Sequence, residues 1–304
     1  MTTKQSRLKP SQKDSLFGMA LMIPAVLVLG LVILLPIVKG IWMSFCDYTI
    51  TSMKHPVWNN FENYRQLFRT GEIFTYFGNT IVFVAFVVAI QFLIAMSLAL
   101  LLNTKLRGRN FFRGIFLISW TVPSVVVALL WSWMLQPQYG VLNYLFYHLG
   151  IISDPHVQWV QSVQYAMPSI VAATVWKQTP YMLVMILAGL QSISKDYMEA
   201  AKIDGANGWQ IFRRIMIPSI RPVLNTTLLI SIMNNFQMYT IIYNMTAGGP
   251  MNKTTTLSIA AYTKAFTEYD LGAGSAIGVL WLLVLAIFTV FYNKRANKSQ
   301  EDYM

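Results

Sequence analysis

Charged residues are scarce in this 304-residue chain: Asp, Glu, Lys and Arg together make up 12% of it, against 55% hydrophobic residues. Soluble globular proteins usually carry about 25% charged residues. The mean hydropathy of +0.49 points the same way. The composition therefore excludes an ordinary soluble domain and predicts a membrane protein whose length is taken up by spanning segments.

Cysteine and histidine are also rare. Cys46 is the single cysteine, so no intramolecular disulfide can form, and we expect Cys46 to pack as a small apolar side chain. The three histidines, His55, His148 and His156, fall in predicted outer connections without the spacing of metal ligands. Neither a disulfide framework nor a metal site is indicated.

Signatures of the common hydrolytic enzymes are missing as well. The sequence contains no GxxxxGKS/T phosphate loop, no HExxH helix and no GxSxG turn. We therefore expect no catalytic site on this chain, and in particular no ATPase site of its own.

Long apolar runs are what the chain has in abundance. A spanning helix needs about 20 mostly apolar residues, and six segments qualify: 16–38, 77–102, 114–135, 167–190, 223–245 and 272–292. They predict an all-α membrane protein with six transmembrane helices in residues 16–292, between tails at 1–15 and 293–304. The first run is too long for a signal-peptide core and lacks a small-residue cleavage site after it, so we expect a retained anchor.

The basic residues predict the orientation of these spans. The chain has 23 Lys and Arg against 12 Asp and Glu, a formal net charge of +11. Sixteen of the basic residues lie on one side of the predicted spans and six on the other. Because cytoplasmic loops carry the excess of Lys and Arg, both tails and the polar segment 191–222 are predicted to be cytoplasmic. Short clusters between apolar runs do not indicate nucleic-acid binding.

Two outer connections, residues 47–76 and 136–166, are rich in aromatic residues such as Trp58, Tyr144 and Trp159. Such residues fit the interfacial belt of a membrane protein, and a platform for an external partner is the alternative. Small residues also recur four apart within two spans, at Ala95 and Ala99 and at Gly274 and Gly278. This spacing permits close helix approach, either within the chain or between subunits.

The most specific pattern is the polar stretch 199–222, EAAKIDGANGWQIFRRIMIPSIRP. Asp196 and Glu199 are three apart, a spacing that allows reciprocal capping at a helix start. Ala200 and Ala201 keep one face slim, and Gly205 with Gly208 permits a sharp turn. Trp209, Phe212 and Ile215 give the following segment an apolar face, and Pro218 and Pro222 are expected to separate it from the fifth span.

This stretch resembles the EAA loop of the integral membrane subunits of bacterial ABC importers. The resemblance implies a cytoplasmic loop that docks into a cleft of an ATPase subunit. The residues it assigns to this coupling are Glu199, Ala200, Ala201, Asp204, Gly205, Ala206, Trp209 and Phe212.

Two further motifs narrow the resemblance. WKQTP at 176–180 and TAGGP at 246–250 are similar to those of carbohydrate permeases of the maltose, glycerol-3-phosphate and oligosaccharide type. The resemblance implies a type I importer permease fold in the bacterial inner membrane and an alternating-access mechanism. It implies as partners a second permease subunit, an ATPase dimer, a solute-binding protein and a carbohydrate. No cofactor is expected on this chain, since ATP and Mg would bind the ATPase.

Polar side chains interrupt the fourth and fifth predicted spans. Such residues are costly at mid-membrane depth and usually face a cavity or one another. Amides, hydroxyls and tyrosine rings suit a polyhydroxylated substrate, because each substrate hydroxyl both donates and accepts hydrogen bonds. The predicted substrate path comprises Thr174, Lys177, Gln178, Ser231, Asn234, Asn235, Gln237, Met238, Tyr239 and Tyr243.

Two of these positions, and Thr240 next to them, depart from the family pattern. Lys177 and Gln178 replace smaller or apolar residues of the maltose type, and Thr240 stands where many relatives carry an acid. The identity of the sugar is therefore not implied. For Lys177 two interpretations stay open: a contact to an anionic substrate, or a pair with a carboxylate or carbonyl groups of the partner permease.

Two other functions remain open at this stage. A secondary transporter driven by an ion gradient normally has more spans and often a membrane-embedded carboxylate, whereas all 12 acidic residues here lie outside the predicted span centres. A membrane sensor or scaffold would leave the mid-membrane amides without a role. Copurification of an ATPase would separate the importer from both.

Overall fold

The computed structural model describes residues 10–50, 55–104 and 107–301. Several basic residues used to predict the orientation, Lys4, Arg7, Lys9, Lys54 and Lys105, lie outside these ranges, as does most of the predicted tail 1–15 and the end of the tail 293–304. The described chain is mostly helical. Its elements in chain order are α1 (Pro10–Leu29), a π-helical turn (Gly30–Leu34), α2 (Leu35–Met43), α3 (Glu62–Thr70), α4 (Glu72–Leu102), α5 (Arg109–Thr121), α6 (Ser124–Met134), α7 (Val141–His148), α8 (Ala166–Gln191), α9 (Lys195–Ile203), α10 (Gly208–Ile211), a π-helical turn (Phe212–Met216), α11 (Ile217–Phe236), α12 (Thr240–Thr246), α13 (Leu257–Tyr262), a π-helical turn (Thr263–Thr267) and α14 (Leu271–Glu301).

Five of the described helices are long and apolar enough to cross a membrane, and a bent pair makes up to six. The five are Phe17–Met43, Glu72–Leu102, Ala166–Gln191, Gly208–Phe236 and Leu271–Arg295. The all-α membrane class is confirmed. The first two spans begin or end several residues beyond their predicted bounds, because helices continue past the hydrocarbon-length window into interfacial residues.

The third predicted span, 114–135, is not one continuous helix. Its two halves, α5 and α6, meet at a bend of 97°. Val122 has an extended backbone (φ −66°, ψ 131°) and Pro123 follows it. A residue before proline is disfavoured in the helical region, and proline has no N–H to continue the helix. The third predicted span is therefore a bent pair of helices, which the sequence did not predict.

The fifth predicted span, 223–245, is wrong at both ends. The helix runs from Gly208 to Phe236, and the remaining residues form the separate helix α12. Pro218 and Pro222 do not separate the polar loop from the span, because both lie within the helical rod. A π-helical turn at Phe212–Met216 precedes Pro218, and such a turn lets a helix absorb irregular hydrogen bonding.

The interior of the bundle is built on the packing of α4 against α8. One cluster of buried residues joins these helices to α6, α12 and α13, with Phe83, Ile170 and Ile241 fully buried. A second cluster, at the other end of α4, contains Ala95 and Ala99 against Ile186 of α8. Both alanines are 0% exposed, so this small-residue pair packs within the chain.

The glycine pair in the last span divides into one packed and one open position. A Cβ on Gly274 would lie 2.7 Å from the Cβ of Ala265 and 2.9 Å from its backbone nitrogen, whereas a Cβ on Gly278 would meet nothing within 4 Å. Gly274 therefore lets α14 approach the preceding π-helical turn within the same chain.

We expect Gly274→Ala to destabilise the protein by about 1–3 kcal/mol, because overpacking forces backbone shifts. Gly278→Ala is the matched control, and there the lower chain entropy of alanine should keep or slightly raise stability. Thermal denaturation of the purified assembly measures both variants. Equal melting temperatures for the two would contradict the packing role of Gly274.

Two short strands and a group of ion pairs lie at the segments that precede α4 and α14. Strands β1 (Cys46–Asp47) and β2 (Val57–Trp58) pair antiparallel. The Lys264 Nζ atom lies 2.8 Å from the Glu268 Oε2 atom and 4.0 Å from the Glu72 Oε2 atom. Burial lowers the pKa of Lys264, but the hydrogen bond and charge of Glu268, with the charges of Glu72 and Asp270, outweigh burial and raise it. These ion pairs join the start of α4 to the turn before α14.

Candidate functional site

The loop that resembles the EAA motif forms two helices joined by a tight turn. Helix α9 begins after Ser194, whose side chain accepts a hydrogen bond from the Asp196 N–H at 3.2 Å. The expected reciprocal capping by Asp196 and Glu199 is not what starts the helix. Serine is a preferred N-cap because its short side chain reaches the free N–H groups of the first turn, and it stands one residue before the helix.

The turn depends on Gly205. Its φ of 78° lies in the left-handed region, which a residue without a Cβ adopts at little cost. The N–H of Gly205 donates to the Lys202 carbonyl at 3.1 Å, and the Ala206 N–H donates to the Ala201 carbonyl at 2.9 Å. These bonds satisfy the last carbonyls of α9 and end the helix.

The second helix of the loop starts with a capping box. The Asn207 side chain accepts from the Gln210 N–H at 2.9 Å, and the Gln210 side chain accepts from the Asn207 N–H at 2.8 Å. The same rod then continues into the fifth span. Helix α10 is therefore continuous with a candidate membrane helix.

Apolar side chains of the loop are exposed. Helix α9 has no buried residue. Ile203 is 86% exposed and Trp209 is 66% exposed. Trp209 lies against Phe212, with ring centroids 5.4 Å apart. The other predicted coupling residues are exposed or half-buried and lie on α9 or in the turn that follows it: Glu199, Ala200, Ala201, Asp204, Gly205 and Ala206. An exposed apolar set rimmed by charge is typical of a protein–protein contact.

The predicted path residues fall into three groups by exposure. Thr174, Ser231 and Asn235 are buried. The half-buried group is Lys177, Gln178, Met238, Tyr239 and Tyr243, and the exposed group is Asn234 and Gln237. Met238 lies beyond the end of α11, so it does not share a helical stripe with Ser231 and Asn235 as expected.

Two of the buried residues, Ser231 and Asn235, join Gln91 and Gln178 in a hydrogen-bond network between three helices. The Ser231 Oγ donates to the Gln91 Oε1 at 3.1 Å, and the Gln91 Nε2 donates to the Gln178 carbonyl at 3.0 Å. The Asn235 Nδ2 donates to the Gln178 Oε1 at 3.2 Å and to the Ser231 carbonyl at 2.9 Å. The network ties α4, α8 and α11 together.

Sequence reasoning missed Gln91 altogether. This side chain is 1% exposed and connects the two polar spans. A signal was present, since Gln91 is the single amide in the apolar run 81–102. A polar residue within a span usually marks a partner or a function.

Aromatic side chains collect where α11 ends. The rings of Tyr239 and Tyr243 are stacked with centroids 5.0 Å apart, and Tyr262 lies 4.7 Å from Tyr239. Asn244, on the same short helix, is exposed and donates to the Thr240 carbonyl at 2.8 Å. Half-buried rings beside an exposed amide are groups that suit the apolar faces and hydroxyls of a sugar.

The TAGGP segment forms a braced loop next to this cluster. The Thr255 Oγ1 donates to the Gly248 carbonyl at 2.9 Å, and the Thr254 Oγ1 donates to the Gly249 carbonyl at 2.7 Å. From α4, the Asn79 Nδ2 donates to the Asn252 carbonyl at 2.7 Å. Met251 at the tip is 83% exposed. The loop is held from within and from α4, and it presents one apolar side chain outward.

No group of three or more His, Cys, Asp or Glu residues that could hold a metal ion occurs within residues 10–50, 55–104 and 107–301.

Comparisons with known proteins agree with this architecture. A family model described as "Binding-protein-dependent transport system inner membrane component" matches residues 91–300. The trehalose/maltose transport system permease protein MalF of Thermococcus litoralis is 33% identical over 289 residues, covering 95% of this chain and 96% of that protein. This chain belongs to the family of binding-protein-dependent transport system inner membrane components. It is a multi-pass inner membrane component of an ABC transporter, that is, a permease.

Two further likenesses extend over nearly the whole permease. The sulfoquinovosyl glycerol transport system permease protein SmoG of Agrobacterium fabrum is 31% identical over 279 residues, covering 92% of this chain and 90% of that protein. A chain of a bacterial alginate ABC transporter, solved with an alginate pentasaccharide-bound periplasmic protein, superposes with a TM-score of 0.80 at 21% identity, covering 96% of this chain and 98% of that one. This structural match confirms the importer-permease fold.

Proposed function

We propose that this permease forms half of the translocation pathway of an ATP-driven carbohydrate importer and couples to an ATPase through α9 and the turn at Gly205. The observation that carries the coupling role is the exposed pair Ile203 and Trp209, at 86% and 66%, on a loop continuous with the fifth span. An apolar contact there would let movement of the ATPase displace the fifth span.

A carbohydrate substrate is supported by the relatives and by the chemistry of the path. The relatives' names specify trehalose and maltose, or sulfoquinovosyl glycerol, and the structural match belongs to an alginate ABC transporter solved with an alginate pentasaccharide-bound periplasmic protein. In this permease, the stacked rings of Tyr239 and Tyr243 belong to the same stretch of chain, 234–244, as the exposed amides of Asn234, Gln237 and Asn244. Rings and amides of this kind bind sugar faces and hydroxyls.

The proposed cycle is alternating access. A second permease subunit completes the cavity, a solute-binding protein delivers the sugar from outside, and an ATPase dimer holding ATP and Mg binds below. Closure of the ATPases moves α9 and the rod Gly208–Phe236 together, which turns the cavity between inward- and outward-facing states.

Ile203→Asp should detach the ATPase, because it places a charge in an apolar contact that is desolvated on docking. The matched control is Met251→Asp, since Met251 is 83% exposed and its loop is held from the start of α4, opposite the coupling loop. We expect the ATPase to copurify with the wild-type chain and the control, and to be depleted at least tenfold in Ile203→Asp. Equal recovery in all three would contradict the docking role.

The energy source separates this function from a secondary transporter. Uptake of labelled sugar into vesicles should stop when internal ATP is removed and should persist when a protonophore collapses the ion gradient. The opposite pattern would favour an ion-driven carrier.

A further inference from the structure

The break in the third span creates a local problem of unpaired backbone groups. Helix α5 ends at Thr121, and Pro123 supplies no N–H to the carbonyls of the last turn. The Thr121 Oγ1 donates to the Ile118 carbonyl at 2.8 Å, and the Val127 N–H donates to the Pro123 carbonyl at 3.0 Å. Neither bond involves the carbonyls of Trp120 and Val122, which lie at the bend between α5 and α6, called the corner below. Within a bilayer each unpaired carbonyl is costly.

Lys177 supplies the missing donors from α8. Its Nζ donates to the Trp120 carbonyl at 3.4 Å and also to the Val122 carbonyl. A positive group at the C-terminal end of a helix is also favoured by the helix dipole. One turn further along α8, the ring of Tyr181 lies 5.9 Å from the ring of Trp120. Two side chains of α8, Lys177 and Tyr181, therefore contact the same corner.

We propose that Lys177 is a positioning residue that caps the broken third span and fixes the angle between α5 and α6. Its ammonium group serves the chain's own backbone, which neither interpretation of the sequence included. Helix α6 packs against α12, where the predicted path residue Tyr243 lies. Through this corner, Lys177 sets the position of α12 without touching the substrate.

Spin labels on the two arms of the corner test the proposal directly. Phe111 of α5 and Trp133 of α6 are 69% and 60% exposed, so cysteines there are accessible for labelling. Cys46→Ala removes the one native cysteine of this chain. With a rise of 1.5 Å per residue, a bend near 97° places the two positions roughly 20 Å apart, against roughly 33 Å in a straight helix. Electron–electron distances are measured in the assembled transporter in lipid, with a sample lacking the two new cysteines as background.

The variants distinguish the effect of losing the N–H donors at Lys177 from the effect of losing its charge, and both from the loss of any lysine. Lys177→Met should broaden the distance distribution and move it at least 5 Å longer, whereas Lys177→Arg and Lys177→Gln, which keep N–H donors, should retain the short distance. Lys294→Met, an exposed lysine lost from α14, should change nothing. If Lys177→Met does not assemble, retention of the short distance in both the Arg and the Gln variant still supports the proposal.

An unchanged narrow distribution in Lys177→Met overturns the proposal, as does loss of the short distance in Lys177→Arg. The distance readout does not depend on the proposed function, but an accompanying uptake assay does. A substrate contact at Lys177 would instead raise the KM for an acidic sugar while leaving the distance unchanged. That result would reject the positioning role and keep the importer.

Discussion

Gly205→Pro should reduce sugar uptake to near background while the chain still inserts in the membrane. Proline fixes φ near −65° and removes the N–H, whereas Gly205 has φ 78° and donates to the Lys202 carbonyl. We expect proline to destabilise the native turn by about 3 kcal/mol. This free energy corresponds to a more than hundredfold smaller population of the turn. Uptake and ATP hydrolysis are measured in vesicles, with the chain's abundance determined in the same membranes.

Two neighbouring substitutions control for this result. Gly205→Asn keeps a residue that tolerates the left-handed region, and a Cβ at Gly205 would meet nothing within 4 Å. Gly208→Ala changes the next glycine, where the space is also open and φ is ordinary. Both should retain most of the uptake. Normal uptake with Gly205→Pro would show that the turn geometry is not needed for coupling.

The number and order of the spans could be predicted from the sequence, but their internal breaks could not. Twenty apolar residues in a row have few alternatives to a spanning helix, and the fourth and last spans were predicted to within a few residues. Proline is ambiguous in such a run. Val122–Pro123 bends the chain by 97°, whereas Pro218 and Pro222 lie inside a continuous rod after a π-helical turn. Whether a proline bends a helix depends on how the freed backbone groups are satisfied, and the sequence alone does not specify their partners.

The candidate site also has features that the sequence predicted and features that it could not predict. The turn at Gly205 is local, so residue type and spacing were enough to predict it. The side chains of Ser231 and Asn235 were recognisable as polar groups at depth, but their partners belong to other helices. A predicted role in the substrate path assumed that they face a cavity. Their burial against Gln91 and Gln178 instead places them between helices, and their part in transport stays a prediction.

Gln91→Leu should lower the stability of the purified assembly substantially. The substitution leaves the buried Ser231 hydroxyl without its acceptor and removes the donor to the carbonyl of the half-buried Gln178. An unsatisfied buried polar group costs about 1–3 kcal/mol, and hydrogen bonds between membrane helices contribute about 0.6–2 kcal/mol each. We expect a loss of about 2–3 kcal/mol, seen as a fall of several degrees in the melting temperature.

Replacing an amide with leucine should lower stability where the amide joins helices, and should weaken transport where the amide contacts the substrate. Gln237→Leu is the matched substitution, because Gln237 is exposed and lies just past the end of α11. It should leave the melting temperature unchanged and raise the KM for uptake if the exposed amides line the path. Adding Ser231→Ala to Gln91→Leu should recover part of the lost stability, since the orphaned hydroxyl is removed. A melting temperature unaffected by Gln91→Leu, or a double variant that is worse by the sum of both losses, would mean that the three helices are held by apolar packing alone.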